Sequence, residues 1–341
     1  MKRYGYLYDR VISMDNLRVA DMNARKGKTN TYGVRLFDKD REGKLYQLHL
    51  NLKNKTYHTS KYDVFVIHEP KKREIYRLPY YPDRIVHHAI MNVLEPIWRS
   101  VFTYNTYSCI KDRGIEGCAK RVGEIISRFP LDKHLYCLKI DIKKYYPSIN
   151  HDVMKAIIRK KIKDEDLLWL LDEIIDSADG LPIGNYISQY LANLYLAYFM
   201  HYVNENLKVL ATEYADDIVF FSDSKATLHE VFAKIKIKIE GDLKLRIKDN
   251  WQIFPIAMNR YDNSGRALDY VGYQFYKGQK LMRKRIKQNL CKETRKLLRR
   301  GIKGKELKMR LSPWIGWAQH SNSRHLLSKI GVFENSSNII L

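Results

Sequence analysis

Cysteine is scarce in this sequence. Four residues, Cys109, Cys118, Cys137 and Cys291, are scattered over 341 positions without a Cys-x-x-Cys pair. That scarcity disfavours a disulfide scaffold and a thiolate zinc site. Long apolar runs are also missing. No stretch of about eighteen uncharged apolar residues is available to span a membrane, and the opening MKRYGYLYDR lacks the apolar core of a secretory leader. The expectation is a cytoplasmic protein. Acidic residues run short as well: 61 Lys and Arg stand against 38 Asp and Glu, a net charge of +23. This excess exceeds what an ordinary solvated surface carries and points to a polyanionic partner. At 45% hydrophobic and 12% aromatic residues, the chain is no disordered basic tail. It is long enough to bury a core in one large or two to three smaller domains. It contains no internal repeat and no low-complexity linker.

The positive charge is concentrated. Between Lys277 and Arg310, fifteen Lys or Arg face only Glu293 and Glu306, so +13 of the +23 falls within a tenth of the chain. Leu290, Leu297, Leu298 and Leu307 recur among the bases, and the segment is expected to be helical. A solvated helix ordinarily mixes both signs; one sign alone suits a nucleic-acid backbone. Arg283, Lys284, Arg285, Arg295, Arg299 and Arg300 are the candidate contacts. Binding should then weaken with salt, with a logarithmic slope of roughly −0.7 per contacted phosphate on single strands.

Elsewhere strands and helices interleave irregularly. Polar runs and short alternating stretches, such as Leu45, Leu48 and Leu50, fill residues 1–60. Alternation around Pro70-Lys71-Lys72 predicts a β-hairpin from Val64 to Leu78. Helices are expected over 84–101, from Gly117 to Pro130, over 152–176 and over 188–203, the last from Leu191, Leu194, Tyr195, Tyr198 and Tyr202 at helical spacing. Residues 135–142 (LYCLKIDI) read as a strand with Lys139 and Asp141 on one face. Residues 213–224 read as two short strands about a carboxylate turn, followed by an amphipathic helix over 228–239, a strand at 243–247 and a strand pair at 268–276. The pattern is α+β, with a palm-like rather than a doubly wound sheet.

Three aspartates carry the candidate chemistry: Asp141 on the first strand and the adjacent Asp216 and Asp217. Apolar residues flank each of them, and a carboxylate in such company costs free energy unless it is paired or holds a metal. Adjacent aspartates on a strand face opposite ways, but a tight turn can aim both at one point. Three hard-oxygen donors would suit two Mg²⁺ ions, and two such ions support in-line phosphoryl transfer. An Asp-Asp pair alone is more often just a turn. The order of the surrounding segments changes that reading.

KIDIKKYYPSIN (139–150), LPIGNYISQYLANLYL (181–196) and EYADDIVFF (213–221) resemble, in order, the first carboxylate motif, the motif before the central palm helix and the catalytic hairpin of reverse transcriptases. EPKKREIYRLPYYPDRIVHHAI (69–90) resembles the fingers motif and its following helix. LKLRIKDNWQIFP (243–255) and ALDYVGYQFY (267–276) resemble the last palm strand and the primer grip. Group II intron relatives read Gln-Gly and Ser-Pro in the second motif. Here Ile183-Gly184-Asn185 and Ser188-Gln189 stand instead, similar to reverse transcriptases of diversity-generating retroelements. No endonuclease or maturase appendage is recognised after the basic segment, as in that subfamily.

The resemblance implies a right-hand polymerase: fingers with an N-terminal extension over 1–135, a palm over 136–276 and a short basic helical thumb over 277–341. It implies RNA-directed DNA synthesis with two Mg²⁺ ions on Asp141, Asp216 and Asp217. The product would be an adenine-mutagenised cDNA of a template-repeat RNA. Implied partners are a structured template RNA, the RNA–cDNA duplex, dNTPs and a small basic oligomeric accessory protein, in a prokaryotic or phage-encoded setting. Tyr146 takes the place of the steric gate against a 2′-OH. Lys72 and Arg73 match the triphosphate-holding fingers residues, with Lys71 an equal neighbour. Gly184 approaches the nascent pair, and Lys248 lies near the leaving pyrophosphate. Ile183, which replaces the usual amide, Asn185 and Gln189 are candidate template or fidelity contacts, the two amides equally being loop-closing groups. Trp314 and Trp317 are expected to pack the thumb, and His87-His88 receive no role. The alternatives are a bacterial defence or group II intron-like reverse transcriptase, or a catalytically silent RNA-binding protein. A retron enzyme is disfavoured by the lack of Val-Thr-Gly in the thumb region.

Overall fold

Helices open the chain. The computed structural model describes residues 2–68, 72–323 and 325–331, beginning with α1 (Tyr8–Ile12), α2 (Met14–Ala24), α3 (Tyr32–Asp38) and α4 (Arg41–Lys53). Ser13 caps α2 by accepting from the Asn16 N–H, and Asp40 caps α4 through Gly43. Leu45 and Leu48 were expected in alternating stretches with Leu50. They instead join Leu52 at i, i+3 and i+7, a buried helical stripe, and Leu50 is half-buried. The fully buried Asp21 carboxylate is met by Arg25 at 2.9 Å, by Arg41 at 2.7 Å and by the Tyr80 hydroxyl, so the charge is compensated where it is desolvated.

The hairpin pairs β1 (Asp63–Ile67) with β2 (Arg73–Arg77) in antiparallel register, Asp63 opposite Arg77. Lys71, in the expected turn, lies outside the described residues. Next come α5 (Ile85–Arg99), buried around most of its circumference, α6 (Gly114–Ser127) and β3 (Tyr136–Asp141). The helix expected over 152–176 is two: α7 (His151–Arg159) and α8 (Glu165–Ile175). The Asp164 carboxylate makes the break. It caps α8 by accepting from Leu167 N–H at 3.2 Å and also holds the Leu7 and Tyr8 N–H groups. Helix α9 (Tyr186–Tyr202) starts two residues earlier than expected and is buried along most of its length.

The carboxylate hairpin follows as β4 (Leu210–Tyr214) and β5 (Asp217–Ser222), then α10 (Lys225–Ile237). Residues 243–247 do not form the expected strand. Leu243, Leu245 and Ile247 are buried in alternation, but the backbone leaves a helical turn at Leu243 and takes φ +52° at Lys244. Pairing is thereby reduced to an Ile142–Ile247 bridge with two bonds, Lys143 N–H to the Arg246 carbonyl and Lys248 N–H to the Asp141 carbonyl. Alternation records burial on one face; ladder formation also needs an extended backbone. Strand β6 (Gln252–Pro255) completes a four-stranded sheet of order β4–β5–β3–β6.

A second sheet, β7 (Leu268–Tyr270), β8 (Tyr273–Phe275) and β9 (Lys280–Met282), is an antiparallel meander. The basic segment contributes β9 and two helices, α11 (Lys284–Arg299) and α12 (Gly304–Gln319), with α13 (His325–Lys329) after them. Leu290, Leu297, Leu307 and Leu311 form their core with Met282, whereas Leu298 is exposed. Trp314 and Trp317 pack against this core, and the Trp317 ring sits 5.0 Å from that of Tyr273.

The chain divides into two compact units. Of the described residues, one holds those within 1–109, 141–206 and 234–248, and the other those within 110–140, 207–233 and from 249 onward. The helices and sheets make the mixed, irregularly interleaved α+β content expected from the sequence.

Candidate functional site

The β4–β5 hairpin has the tightest turn available. Tyr214 pairs with Asp217, so Ala215 and Asp216 alone form the loop. Two-residue hairpins need positive φ at the first loop position, and Ala215 adopts φ +55°, which costs a residue with a Cβ about 1 kcal/mol. Asp216 therefore occupies the apex and Asp217 the first rung of β5. The Asp217 Oδ2 atom lies 3.1 Å from Lys139 Nζ. Lys139 also donates to the Asp269 carbonyl at 2.8 Å and sits 5.6 Å from the Tyr270 ring centroid. Tyr270 is fully buried, and its hydroxyl meets the Asp217 carbonyl at 3.0 Å and that of Thr212 at 3.3 Å. Burial, then the neighbouring Cys118 and Asp217, push this phenol well above its ordinary range, so it remains a neutral donor. Burial likewise pushes the Cys118 thiol up to about 12. All four cysteines are unbridged.

Asp141 ends β3, the strand next to β5 in the sheet. The pairing of 142–143 with 246–247 carries Lys248 alongside it. The Lys248 N–H donates to the Asp141 carbonyl at 2.9 Å, and its ammonium lies 2.6 Å from Asp141 Oδ1, an ion pair outside hydrogen-bond angles. Among the described residues no three His, Cys, Asp or Glu side chains stand close enough together to cage a metal ion. What Asp141 and Asp217 offer is donor type, hard oxygens of the class magnesium takes, each accompanied here by an ammonium.

Of the Tyr145–Tyr146 pair, Tyr145 is the packed member: it is buried and donates to the Ala192 carbonyl at 2.6 Å. Tyr146 is half-buried, its ring edge-on to Tyr145 at 5.7 Å. Ile183 and Gly184 dock on β2. The Tyr76 N–H donates to the Ile183 carbonyl at 2.8 Å, and a Cβ at Gly184 (φ +122°) would lie 2.7 Å from the Tyr76 carbonyl oxygen. Only glycine fits there. Asn185 is buried and closes the loop by donating to the Tyr62 hydroxyl at 3.0 Å; Gln189 is exposed on α9. Lys72 and Arg73 are exposed at the start of β2.

A cavity of about 200 Å³ opens beside Gly184 and Asn185, and Lys28, Arg77, Arg84 and His87 are among its lining residues, with no carboxylate. Arg77 is paired with Asp63. Burial pulls Arg84 down, and burial with the nearby Arg84 charge pulls Lys28 down. Burial, then the charges of His88 and Arg84, lower His87 to about 3; burial and the same class of neighbours lower His88 to about 4. Both imidazoles are neutral at physiological pH. His87 Nε2 and Arg84 Nε are buried without hydrogen bonds among the described residues. Sequence reasoning assigned none of these four a role. The available signal was an adjacent His pair on a helix otherwise apolar on nearly every face.

On α11, Lys284, Arg285, Arg295 and Arg299, with Arg300 just beyond, are exposed, whereas Arg283 is half-buried and paired with Asp269. The outer surface of α11 thus carries mostly bases over an apolar seam, with Glu293 opposing only Lys296 among the described residues.

Residues 69–254, more than half of the chain, match the family described as reverse transcriptase (RNA-dependent DNA polymerase). Protein YkfC of Escherichia coli (strain K12) is 24% identical over 196 residues, 54% of this chain and 47% of that protein. The Retron Ec73 reverse transcriptase of Escherichia coli is 26% identical over 200 residues, 52% and 60% respectively. Nuclear intron maturase 4, mitochondrial, of Arabidopsis thaliana is 24% identical over 148 residues, 40% and 18% respectively. The chain thus spans less than two thirds of the length of these relatives. In fold it is similar to the apo telomerase of Candida Tropicalis truncated from its C-terminal domain, with a TM-score of 0.50 and 12% identity over 67% of this chain and 57% of that one. No helix among the described residues is long and apolar enough to cross a membrane. The match runs from the β1–β2 hairpin to β6 and contains all three aspartates, and by its extent this chain belongs to the reverse transcriptase (RNA-dependent DNA polymerase) family.

Proposed function

We propose that the chain is an RNA-directed DNA polymerase acting in the cytoplasm, with fingers over 1–135, palm over 136–276 and thumb over 277–341. The observation that carries this reading is the two-residue Ala215–Asp216 turn on β5, the sheet neighbour of the strand that ends in Asp141. In the proposed reaction the primer 3′-hydroxyl gives up its proton to solvent, its oxygen bonds to the α-phosphorus of a dNTP, the bond from that phosphorus to the bridging oxygen breaks, and pyrophosphate leaves. Asp141, Asp216 and Asp217 form no ready-made metal cage among the described residues; drawn together when nucleic acid and dNTP bind, their hard oxygens would hold two divalent cations, which would supply electrostatic stabilisation of the developing charge. Tyr146, half-buried beside the buried Tyr145, closes the space a ribose 2′-OH would need. Lys72 and Arg73 hold the triphosphate, and Lys248 turns from Asp141 to the departing pyrophosphate. The carboxylate-free cavity beside Asn185 receives template phosphate, and the exposed bases of α11 grip the duplex backbone.

The finer reading is a diversity-generating retroelement enzyme, working with a structured template RNA and a small basic accessory protein. It rests on Ile183-Gly184-Asn185. An apolar Ile183 in place of an amide removes a polar contact and loosens geometric control of the nascent pair. The second reading, a retron or intron-type enzyme, is favoured by the retron and maturase relatives.

The test is Mg²⁺-dependent primer extension on an RNA template. Wild type should extend, and Asp216→Asn should lose about a thousandfold or more in rate, since metal-bound charge stabilisation supplies several kcal/mol. Extension by the variant at the wild-type rate overturns the assignment. Errors confined to adenines, relieved by Ile183→Gln, favour the retroelement reading; an even error spectrum favours the second.

A further inference from the structure

The loop between α8 and α9 is held at both ends by backbone contacts, and one end grips the residue proposed to select the sugar. The Leu181 N–H donates to the Tyr146 carbonyl at 2.8 Å. Gly180 adopts φ +61°, and a Cβ there would stand 2.5 Å from the Tyr146 carbonyl oxygen and 2.6 Å from that of Pro147. Two main-chain carbonyls therefore lie where any other residue needs space. At its far end the same loop is joined to β2 through the Ile183 carbonyl and the Tyr76 N–H.

A side chain outside the loop fixes the Gly180 peptide. His151, the first residue of α7, places Nε2 at 2.9 Å from the Gly180 carbonyl oxygen and Nδ1 at 3.2 Å from Asp176 Oδ1. A carbonyl only accepts, so Nε2 carries the proton of that bond. Asp176 is held in turn by Lys155 at 2.5 Å. The chain of contacts runs from α7 and the end of α8, through one imidazole, to Gly180 and then to the main chain of Tyr146. Tyr145 is anchored on α9 through the Ala192 carbonyl, and the main chain of its neighbour Tyr146 is held by the Leu181 N–H.

We propose that His151 and Gly180 are positioning residues for Tyr146, and that together they set how strictly the enzyme rejects ribonucleotides. Neither touches substrate. This inference rests on the reading of Tyr146 as the sugar gate. A gate works by contact distance, so a shift of a fraction of an ångström in its backbone is enough to admit a 2′-OH, as small misplacements elsewhere change rates by large factors.

The experiment is primer extension by the full chain on an RNA template, measuring kcat and KM for a dNTP and the matching rNTP. The variants are His151→Ala, His151→Gln, Gly180→Ala and Tyr146→Ala, with thermal unfolding of each. His151→Ala should lower the dNTP-over-rNTP ratio of kcat/KM by about tenfold, mainly through a lower rNTP KM, while kcat for the dNTP changes little. His151→Gln keeps an amide donor for the Gly180 carbonyl and should restore most of the ratio. In a Tyr146→Ala background, His151→Ala should add nothing, because the two act through one element. Gly180→Ala should loosen selection at least as far; if that variant does not fold, the His151 pair still decides.

An unchanged ratio in folded His151→Ala overturns the proposal. So does an additive effect in the Tyr146→Ala background. Loss of selection in Tyr146→Ala without loss in His151→Ala overturns the clamp alone. No loss in Tyr146→Ala, in an enzyme that polymerises, overturns the gate and the clamp together and leaves the polymerase assignment standing.

Discussion

Two lysine–carboxylate pairs, one in each compact unit, are built in opposite ways. In the unit that contains the carboxylate hairpin, Lys139 is fixed at three points: Asp217 Oδ2, the Asp269 carbonyl and the face of Tyr270. In the other, the Lys248 main chain is fixed by its N–H on the Asp141 carbonyl, and the side chain extends from that anchor to Asp141 Oδ1. Both pairs are about one-third exposed. The same two charges thus make a strut in one place and a tethered arm in the other. A strut contributes to stability and keeps Asp217 in place; an arm can swing to a new anion without disturbing the fold.

The sharpest way to break that comparison is Lys248→Met. If the arm serves the leaving pyrophosphate, kcat/KM for the dNTP should fall about 10- to 100-fold, or about 1.4–2.8 kcal/mol of transition-state stabilisation, with the unfolding temperature unchanged. Steady-state kinetics alongside calorimetry decides. A stable variant with wild-type kinetics makes Lys248 a mere counter-charge, and a lower unfolding temperature makes it a second strut.

How much of this was legible beforehand differs between the pairs. Lys139 and Asp141 were read on one face of β3 from strand periodicity, yet Lys139 pairs with Asp217, which lies on the neighbouring strand. Periodicity gives the face and leaves the cross-strand partner undetermined. Lys248 was singled out from the resemblance, while the strand thought to deliver it is absent. Leu243, Leu245 and Ile247 alternate in burial on a backbone that leaves a helical turn, so the burial signal survived and the conformational one misled. The hairpin aspartates were singled out by the order of the surrounding motifs, whereas the two-residue Ala215–Asp216 turn that puts Asp217 on the first rung of β5 was not legible. The cavity cations Lys28 and Arg84 were not, because they come from segments 56 residues apart with no shared pattern. The helical break at Asp164 was also hidden. Its carboxylate serves Leu7 and Tyr8 as well as its own helix, and only the folded chain brings them together.

A second prediction sharpens the strut. Tyr270→Phe removes the buried hydroxyl at the Asp217 and Thr212 carbonyls. Leaving such groups unsatisfied costs about 1–2 kcal/mol, to be read from denaturant midpoints at constant slope. Polymerisation should change less than threefold, because the carboxylate still has Lys139. A large kinetic loss with little loss of stability would mean that the hydroxyl sets the hairpin's geometry for catalysis and is not merely a brace.

The smallest effect belongs to the strut lysine itself. Lys139→Met keeps the aliphatic stem that lies near Tyr270 and loses the ammonium. A partly exposed ion pair contributes little, and the Asp269 carbonyl can turn to water, so the expected loss is about 0.5–1 kcal/mol. The informative quantity is the coupling. In a double-mutant cycle with Asp217→Asn, the two changes should fall short of additivity by about 0.5 kcal/mol, because each alone breaks the same contact. In a cycle with Lys248→Met, whose partner is Asp141, they should add. A coupling between the two lysines as large as that between Lys139 and Asp217 would show that the pairs act as one charge network. In that case the contrast between strut and arm would describe side-chain anchoring alone, with no division of labour behind it.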